Sequence, residues 1–118
     1  MGQTYTISIV KGISIIKYTS NPTLENVLQA MDELGYEEST FHRIWDMSNV
    51  DIAMTSDDMR VIARHSSQLV RPDLKSAMIA SSDHDFGMLR VYEGYREGLN
   101  GVLMVFRDFN EAWRWIHN

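Results

Sequence analysis

Ile44-Trp-Asp-Met-Ser-Asn-Val-Asp-Ile-Ala-Met-Thr-Ser-Asp-Asp-Met59 decides the fold of this chain. Its first residues read as a buried strand, its middle as an ordered apolar loop, and its end as a helix that starts on hydroxyl and acidic residues. Thr55 and Asp58 stand in near capping-box register at that start, where a hydroxyl and a carboxylate three residues apart can each take a free backbone N–H. A strand that runs through a short loop into a capped helix is the joint of an α/β unit.

Working outward, the same alternation continues in both directions. Toward the N-terminus, Tyr5, Ile7 and Ile9 alternate with Thr4, Thr6 and Ser8, the period of a half-buried strand. Lys11-Gly12 supplies a turn before Ile13 to Tyr18, so the chain opens with an antiparallel hairpin. Ser20-Asn-Pro22 then gives a capping residue and a proline at a first helical position. Leu24, Val27, Leu28, Met31 and Leu34 follow at helical spacing up to Gly35, and Phe41 to Met47 is the next strand region.

Past the central stretch, Met59, Ile62, Ala63 and Leu69 mark a helix stopped by Pro72. Ser76 to Ala80 is a short apolar run. The residues Ser81-Ser-Asp-His-Asp85 read as a solvated loop, and a third helix carries Met88, Tyr92, Tyr95 and Leu99 on one face until Asn100-Gly101. Val102-Leu-Met-Val-Phe106 has the continuous apolar character of a strand buried on both faces. Asp108 caps a last helix with Phe109, Ala112, Trp113 and Ile116 inward. The order is ββαβαβαβα: an α/β fold with an antiparallel N-terminal hairpin and parallel inner strands, because right-handed crossovers make strands that alternate with helices run parallel. Trp45, Val105 and Trp113 are expected to be largely buried, and residues 1–118 to form one domain.

Composition narrows the classes of function. A hydrophobic content of 44% with 23% charged residues is that of a folding chain rather than a disordered one. The absence of cysteine excludes disulfides, thiolate metal sites and a cysteine nucleophile, and it suits a reducing cytoplasm. Val102 to Phe106 is the longest apolar run, too short for stable membrane insertion. A net charge of −5 argues against nucleic acid, whose binding rests on neutralising phosphates.

The hairpin followed by Asp46-Met-Ser-Asn-Val-Asp-Ile-Ala-Met-Thr-Ser-Asp-Asp-Met59 resembles the STAS domain of anti-anti-sigma factors, where this stretch reads approximately Asp-Leu-Ser-Gly-Val-x-Phe-x-Asp-Ser-Ser-Gly-Leu. Phe86-Gly-Met-Leu-Arg-Val-Tyr92 and Val105-Phe-Arg-Asp-Phe-Asn-Glu-Ala-Trp113 are closer to the SpoIIAA-like branch, sometimes grouped as STAS/SEC14. The likeness covers nearly the whole chain in element order. It implies a non-enzymatic module that docks a protein partner and is switched by phosphate, with Ser56 at the position of the phosphorylated serine. The SEC14 grouping implies an apolar small-molecule ligand instead. Two positions depart from the pattern: Met54 replaces the acidic residue before the hydroxyl pair, and Asp57 replaces the glycine after it.

The residues give candidates of their own. Ser56 and Thr55 stand at a helix N-terminus, where a phosphate meets free N–H groups and a favourable dipole, and where an unmodified hydroxyl simply caps. Asp46, Ser48, Ser81, Ser82, Asp83, Arg107 and Asp108 all follow strands, so they should gather at the carboxyl edge of the sheet, where open α/β folds bind ligands. Arg60, Arg64, Ser67 and Arg71 form a polar stripe at helical spacing, the pattern of a docking surface for an acidic partner and equally of a solvated helix face. Trp115, on the side of the last helix opposite Phe109, Ala112 and Ile116, is the candidate contact of a homodimer. Met47, Met54, Met59, Met78, Met88 and Met104 make an adaptable interior. The four histidines have no metal-ligand spacing, and no Gly-x-x-x-x-Gly-Lys, Gly-x-Gly-x-x-Gly or Gly-x-Ser-x-Gly sequence occurs, so no metal, cofactor or catalytic residue is assigned. Gly94 reads as tight packing of the third helix on the sheet.

Overall fold

The computed structural model describes residues 4–34, 42–69 and 72–118. Its elements are β1 (Tyr5–Val10), β2 (Ile13–Tyr18), α1 (Leu24–Leu34), β3 (His42–Asp46), α2 (Ser56–Ser67), β4 (Lys75–Ile79), α3 (Asp83–Arg96), β5 (Val102–Phe106) and α4 (Phe109–Ile116). The sheet order is β1-β2-β3-β4-β5. β1 and β2 pair antiparallel, and every later pair is parallel. The expected α/β fold with its ββαβαβαβα order is thus present. The hairpin closes on Val10 opposite Ile13 through Lys11 (φ 51°) and Gly12 (φ 78°), the two left-handed residues that a tight hairpin turn requires.

Alternation along the strands sorts side chains between two apolar layers. Ile16, Tyr18, Trp45 and Met78 meet Val27, Met31, Met59, Ile62, Leu89 and Tyr92 from α1, α2 and α3. On the opposite face Ile13, Ile44, Ala77 and Ile79 meet Ala112 and Ile116 of α4. Among the described residues, three helices therefore cover one face and a single helix of eight residues covers the other.

That imbalance corrects the reading of the last strand. β5 is an edge strand, with Val102 and Met104 exposed and Val105 and Trp113 half-buried, while Trp45 is buried as expected. A strand added last, outside β4, has no further strand to close it, and α4 is too short to cover its beginning. Continuous apolar character does not distinguish such an edge from a central strand. α3 also stops earlier than its spacing predicts: Glu97 is its C-cap, Gly98 takes φ +83°, and Leu99 lies outside the helix and is exposed. The tight packing expected at Gly94 is absent, since a Cβ there would meet nothing within 4 Å. No helix among the described residues is long and apolar enough to cross a membrane. Phe41, expected to begin β3, lies outside the described residues.

Candidate functional site

The strand-end residues do gather. Asp46, the last residue of β3, is 8% exposed, and its Oδ1 accepts the Ser48 backbone N–H at 3.0 Å and the Ser48 hydroxyl at 2.6 Å. Ser81 donates its hydroxyl to the Ser48 carbonyl at 2.9 Å, which joins the loops that follow β3 and β4. Arg107, after β5, donates to Asp83 Oδ1 at 2.7 Å and to the Ser81 carbonyl at 3.5 Å, with its guanidinium 4.4 Å from the Phe86 ring centre. Ser82 and Asp108 cap α3 and α4, accepting from Asp85 N and Asn110 N at 3.1 Å each. The polar atoms of this edge are directed at one another and at helix ends, so the arrangement ties three loops together. The hydroxyl–carboxylate pair of this edge, Ser48 on Asp46, joins residues two apart in the turn after β3. No group of three or more His, Asp or Glu that could hold a metal ion occurs among the described residues.

Asp85 is the residue of this region that the sequence reading placed wrongly. It lies in the first turn of α3 and is 4% exposed, not in a solvated loop. Its Oδ1 accepts the backbone N–H of Ile52 at 3.2 Å, which fixes the apolar loop between β3 and α2. His84 beside it is exposed and reaches the same oxygen at 3.2 Å. Its helical neighbour Ser82 was the available signal, because Ser-x-x-Asp is a cap register.

At the start of α2 the two hydroxyls divide their roles. Thr55 is the N-cap: Thr55 Oγ1 accepts from Asp58 N at 3.1 Å and Asp58 Oδ2 accepts from Thr55 N at 3.0 Å, the complete capping box. Ser56 is thereby released from capping. It is exposed, and its Oγ lies 3.0 Å from the Tyr95 hydroxyl on α3. Tyr95 in turn lines a surface groove of about 240 Å³ between α2 and α3, together with Leu99, Ala63, Ser67, Arg60 and Arg64. Arg60 makes a 3.5 Å exposed contact with Asp57, the weak kind of surface pair. Arg64 has no acidic partner among the described residues. Arg71 lies outside them. The groove therefore has Arg60 and Arg64 together on its α2 wall and Tyr95 and Leu99 opposite, with Ser56 bonded to Tyr95.

Trp115 belongs elsewhere. Its ring is half-buried on the opposite face of the sheet, 5.7 Å from the Phe106 ring, with Lys75 Nζ 5.4 Å from its centre. Met47, Met54, Met59 and Met78 are packed into the core. A cavity of about 20 Å³ in the layer beneath α1, α2 and α3 is lined by Arg43, Trp45, Ser66, Ser76, Tyr92 and Arg96, among others, and has the room of one water molecule. The buried Tyr92 hydroxyl lies 2.9 Å from Ser66 Oγ, within hydrogen-bond distance. Burial raises its pKa, opposed by that hydrogen bond and by the positive charges of Arg96 and Arg43.

No family model matches the chain. A thymidylate kinase of Nitratidesulfovibrio vulgaris (strain DP4) is 34% identical to it over 70 residues, which is 57% of this chain and 30% of the kinase. The chain thus spans less than a third of the length of that curated relative.

Proposed function

We propose that the chain is a non-enzymatic, cytoplasmic regulatory or binding module of STAS-like type that docks an acidic segment of a protein partner in the groove between α2 and α3. The observation that carries this reading is the groove itself: Tyr95 and Leu99 face the α2 wall that carries Arg60 and Arg64, on a chain whose net charge is −5. Apolar contact supplies affinity, and the local positive charge selects and orients an acidic partner against the repulsion of the rest of the surface.

Ser56 is the switch in this proposal. A phosphate there adds about −1.5 to −2 charges and sits at a helix N-terminus, where the dipole favours it. It also displaces the hydroxyl contact with Tyr95 and offers Arg60 a stronger partner than Asp57. Both changes reach the groove directly and weaken it for an acidic segment. The partial likeness to a thymidylate kinase is the observation on the side of an enzyme; against it, the chain has no glycine-rich sequence to cradle nucleotide phosphates.

The test is isolation of the native chain from its own cells with mass spectrometry of bound proteins and of Ser56. The expected result is a partner that is lost from Arg60→Glu/Arg64→Glu and weakened by Ser56→Asp. A partner retained by the double variant overturns the docking site, and an unchanged Ser56→Asp complex overturns the switch.

A further inference from the structure

The layer between the sheet and its three helices holds positive charge where apolar side chains are the rule. Arg43 on β3 and Arg96 at the end of α3 are 2% and 7% exposed, and both line the interior cavity of about 20 Å³. Strand register sets Arg43 beside Ser76, and the hydroxyls of Ser66, Ser76 and Tyr92 make up the rest of the polar lining. No acidic side chain lines the cavity among the described residues.

Arg96 lacks a counter-charge. Its Nη2 donates to the Asn100 carbonyl beyond the helix end, whereas its Nη1 is buried and has no hydrogen-bond partner among the described residues. Glu93, one turn earlier, is held instead by Arg90 at 2.8 Å. A buried carboxylate or amine can shed its charge by gaining or losing a proton, but a guanidinium does not deprotonate in proteins. An unpaired buried charge is strongly destabilising, so what satisfies Arg96 is an anion. A water molecule would accept from Nη1 and leave the charge uncompensated. The volume then selects among anions: it suits one water-sized body, and a carboxylate, sulfate or phosphate, with several heavy atoms, is too large. Hydroxyl hydrogens rotate to suit an acceptor, so the serine and tyrosine lining accommodates an ion without rearrangement of the backbone.

We propose that this cavity binds a single monatomic anion, chloride, on Arg96 Nη1 with the Arg43 charge beside it. The ion is structural, tying α3 to the central strands, and the site is independent of protein docking between α2 and α3.

Thermal unfolding of the full chain, with sodium chloride exchanged for sodium gluconate at constant ionic strength, tests this, and crystals grown in sodium bromide give a second reading. Each tenfold rise in chloride above its dissociation constant should raise the folded-to-unfolded ratio about tenfold, with bromide acting alike and gluconate, too large to enter, without effect. Bromide should give an anomalous scattering peak at hydrogen-bonding distance from Arg96 Nη1. Arg96→Met removes the charge that needs the ion, so its unfolding should be independent of chloride. Ser76→Val adds apolar volume at the cavity and suits a strand, and it should lose the chloride dependence as well. A native melting temperature indifferent to chloride, no bromide peak at Arg96, or undiminished chloride dependence in a folded Arg96→Met or Ser76→Val overturns the proposal. Where neither variant folds, the native chain and its bromide peak decide.

Discussion

The Asp85 carboxylate accepts the backbone N–H of Ile52 at 3.2 Å, so the loop leading into α2 is pinned to the first turn of α3. Both residues are buried, and Asp85 N is itself held by Ser82 Oγ. Asp85→Ala leaves the Ile52 donor buried without a partner and should cost about 1–3 kcal/mol. Asp85→Asn keeps an acceptor in place and should cost less. Denaturant unfolding of the two variants checks the order; an Asn variant as weak as the Ala variant would assign the effect to charge rather than to the Ile52 hydrogen bond.

Thr55 and Ser56 are adjacent hydroxyls with different partners, and their substitutions should separate accordingly. Thr55→Ala removes half of the capping box and should lower stability by about 1 kcal/mol. Ser56→Ala removes only an exposed contact with Tyr95 and should stay within about 0.5 kcal/mol. Equal losses in chemical denaturation would mean that Ser56 shares the cap.

The difference between these neighbours shows what was legible in the sequence. The Thr55–Asp58 box is local, written by two residues three apart, and the hairpin and the helix spacings are equally local. Ser56 meets Tyr95 across 39 positions, and no periodicity reports which hydroxyl of a distant helix lies opposite. The strand-end residues were placed correctly because element order alone sends them to one edge, but order does not say that their polar atoms are spent on one another. Edge exposure of Val102 and Met104 depends on what β4 and α4 leave uncovered. An arginine near a helix end is ordinarily solvated, so nothing local in the sequence marks Arg96 as buried.

Tyrosine ionisation supplies a pH dependence with a definite sign. Burial, and then a hydrogen bond to Glu33 at 2.8 Å and the charge of that carboxylate, pushes Tyr5 up to about 12. Burial raises Tyr18 and Tyr92 as well. A phenol whose pKa is higher folded than unfolded contributes stability that is fully present below the unfolded value of about 10 and is lost as pH rises through the folded one. Stability should therefore fall between about pH 10 and 12. Ultraviolet titration of phenolate should show these tyrosines ionising together with loss of far-ultraviolet circular dichroism; their ionisation near 10 in a folded chain would contradict the buried placement.

Tyr18 differs from Tyr5 in having a buried hydroxyl with no partner among the described residues, although the two rings lie 5.5 Å apart. Burying an unpaired hydroxyl opposes folding, so Tyr18→Phe should leave stability unchanged or raise it by about 1 kcal/mol. Tyr5→Phe breaks the Glu33 hydrogen bond and should lower it. Thermal unfolding of the pair checks the opposite signs.

Self-association as a homodimer, if it occurs on the α4 face, needs a probe other than Trp115. That ring packs on Phe106 and under Lys75, and Trp115→Ala should cost about 2 kcal/mol in the monomer alone, so a lower mass would not locate a contact. Met104 lies two residues from Phe106 on the same face of β5 and is 44% exposed. Met104→Lys therefore keeps the packing, changing stability by no more than about 0.5 kcal/mol, while setting a charge on the apolar edge. Light scattering at micromolar concentration should give a dimer for the native chain and a monomer for Met104→Lys at unchanged melting temperature. A native monomer removes the homodimer, and a dimer that survives Met104→Lys moves the contact off the β5 edge.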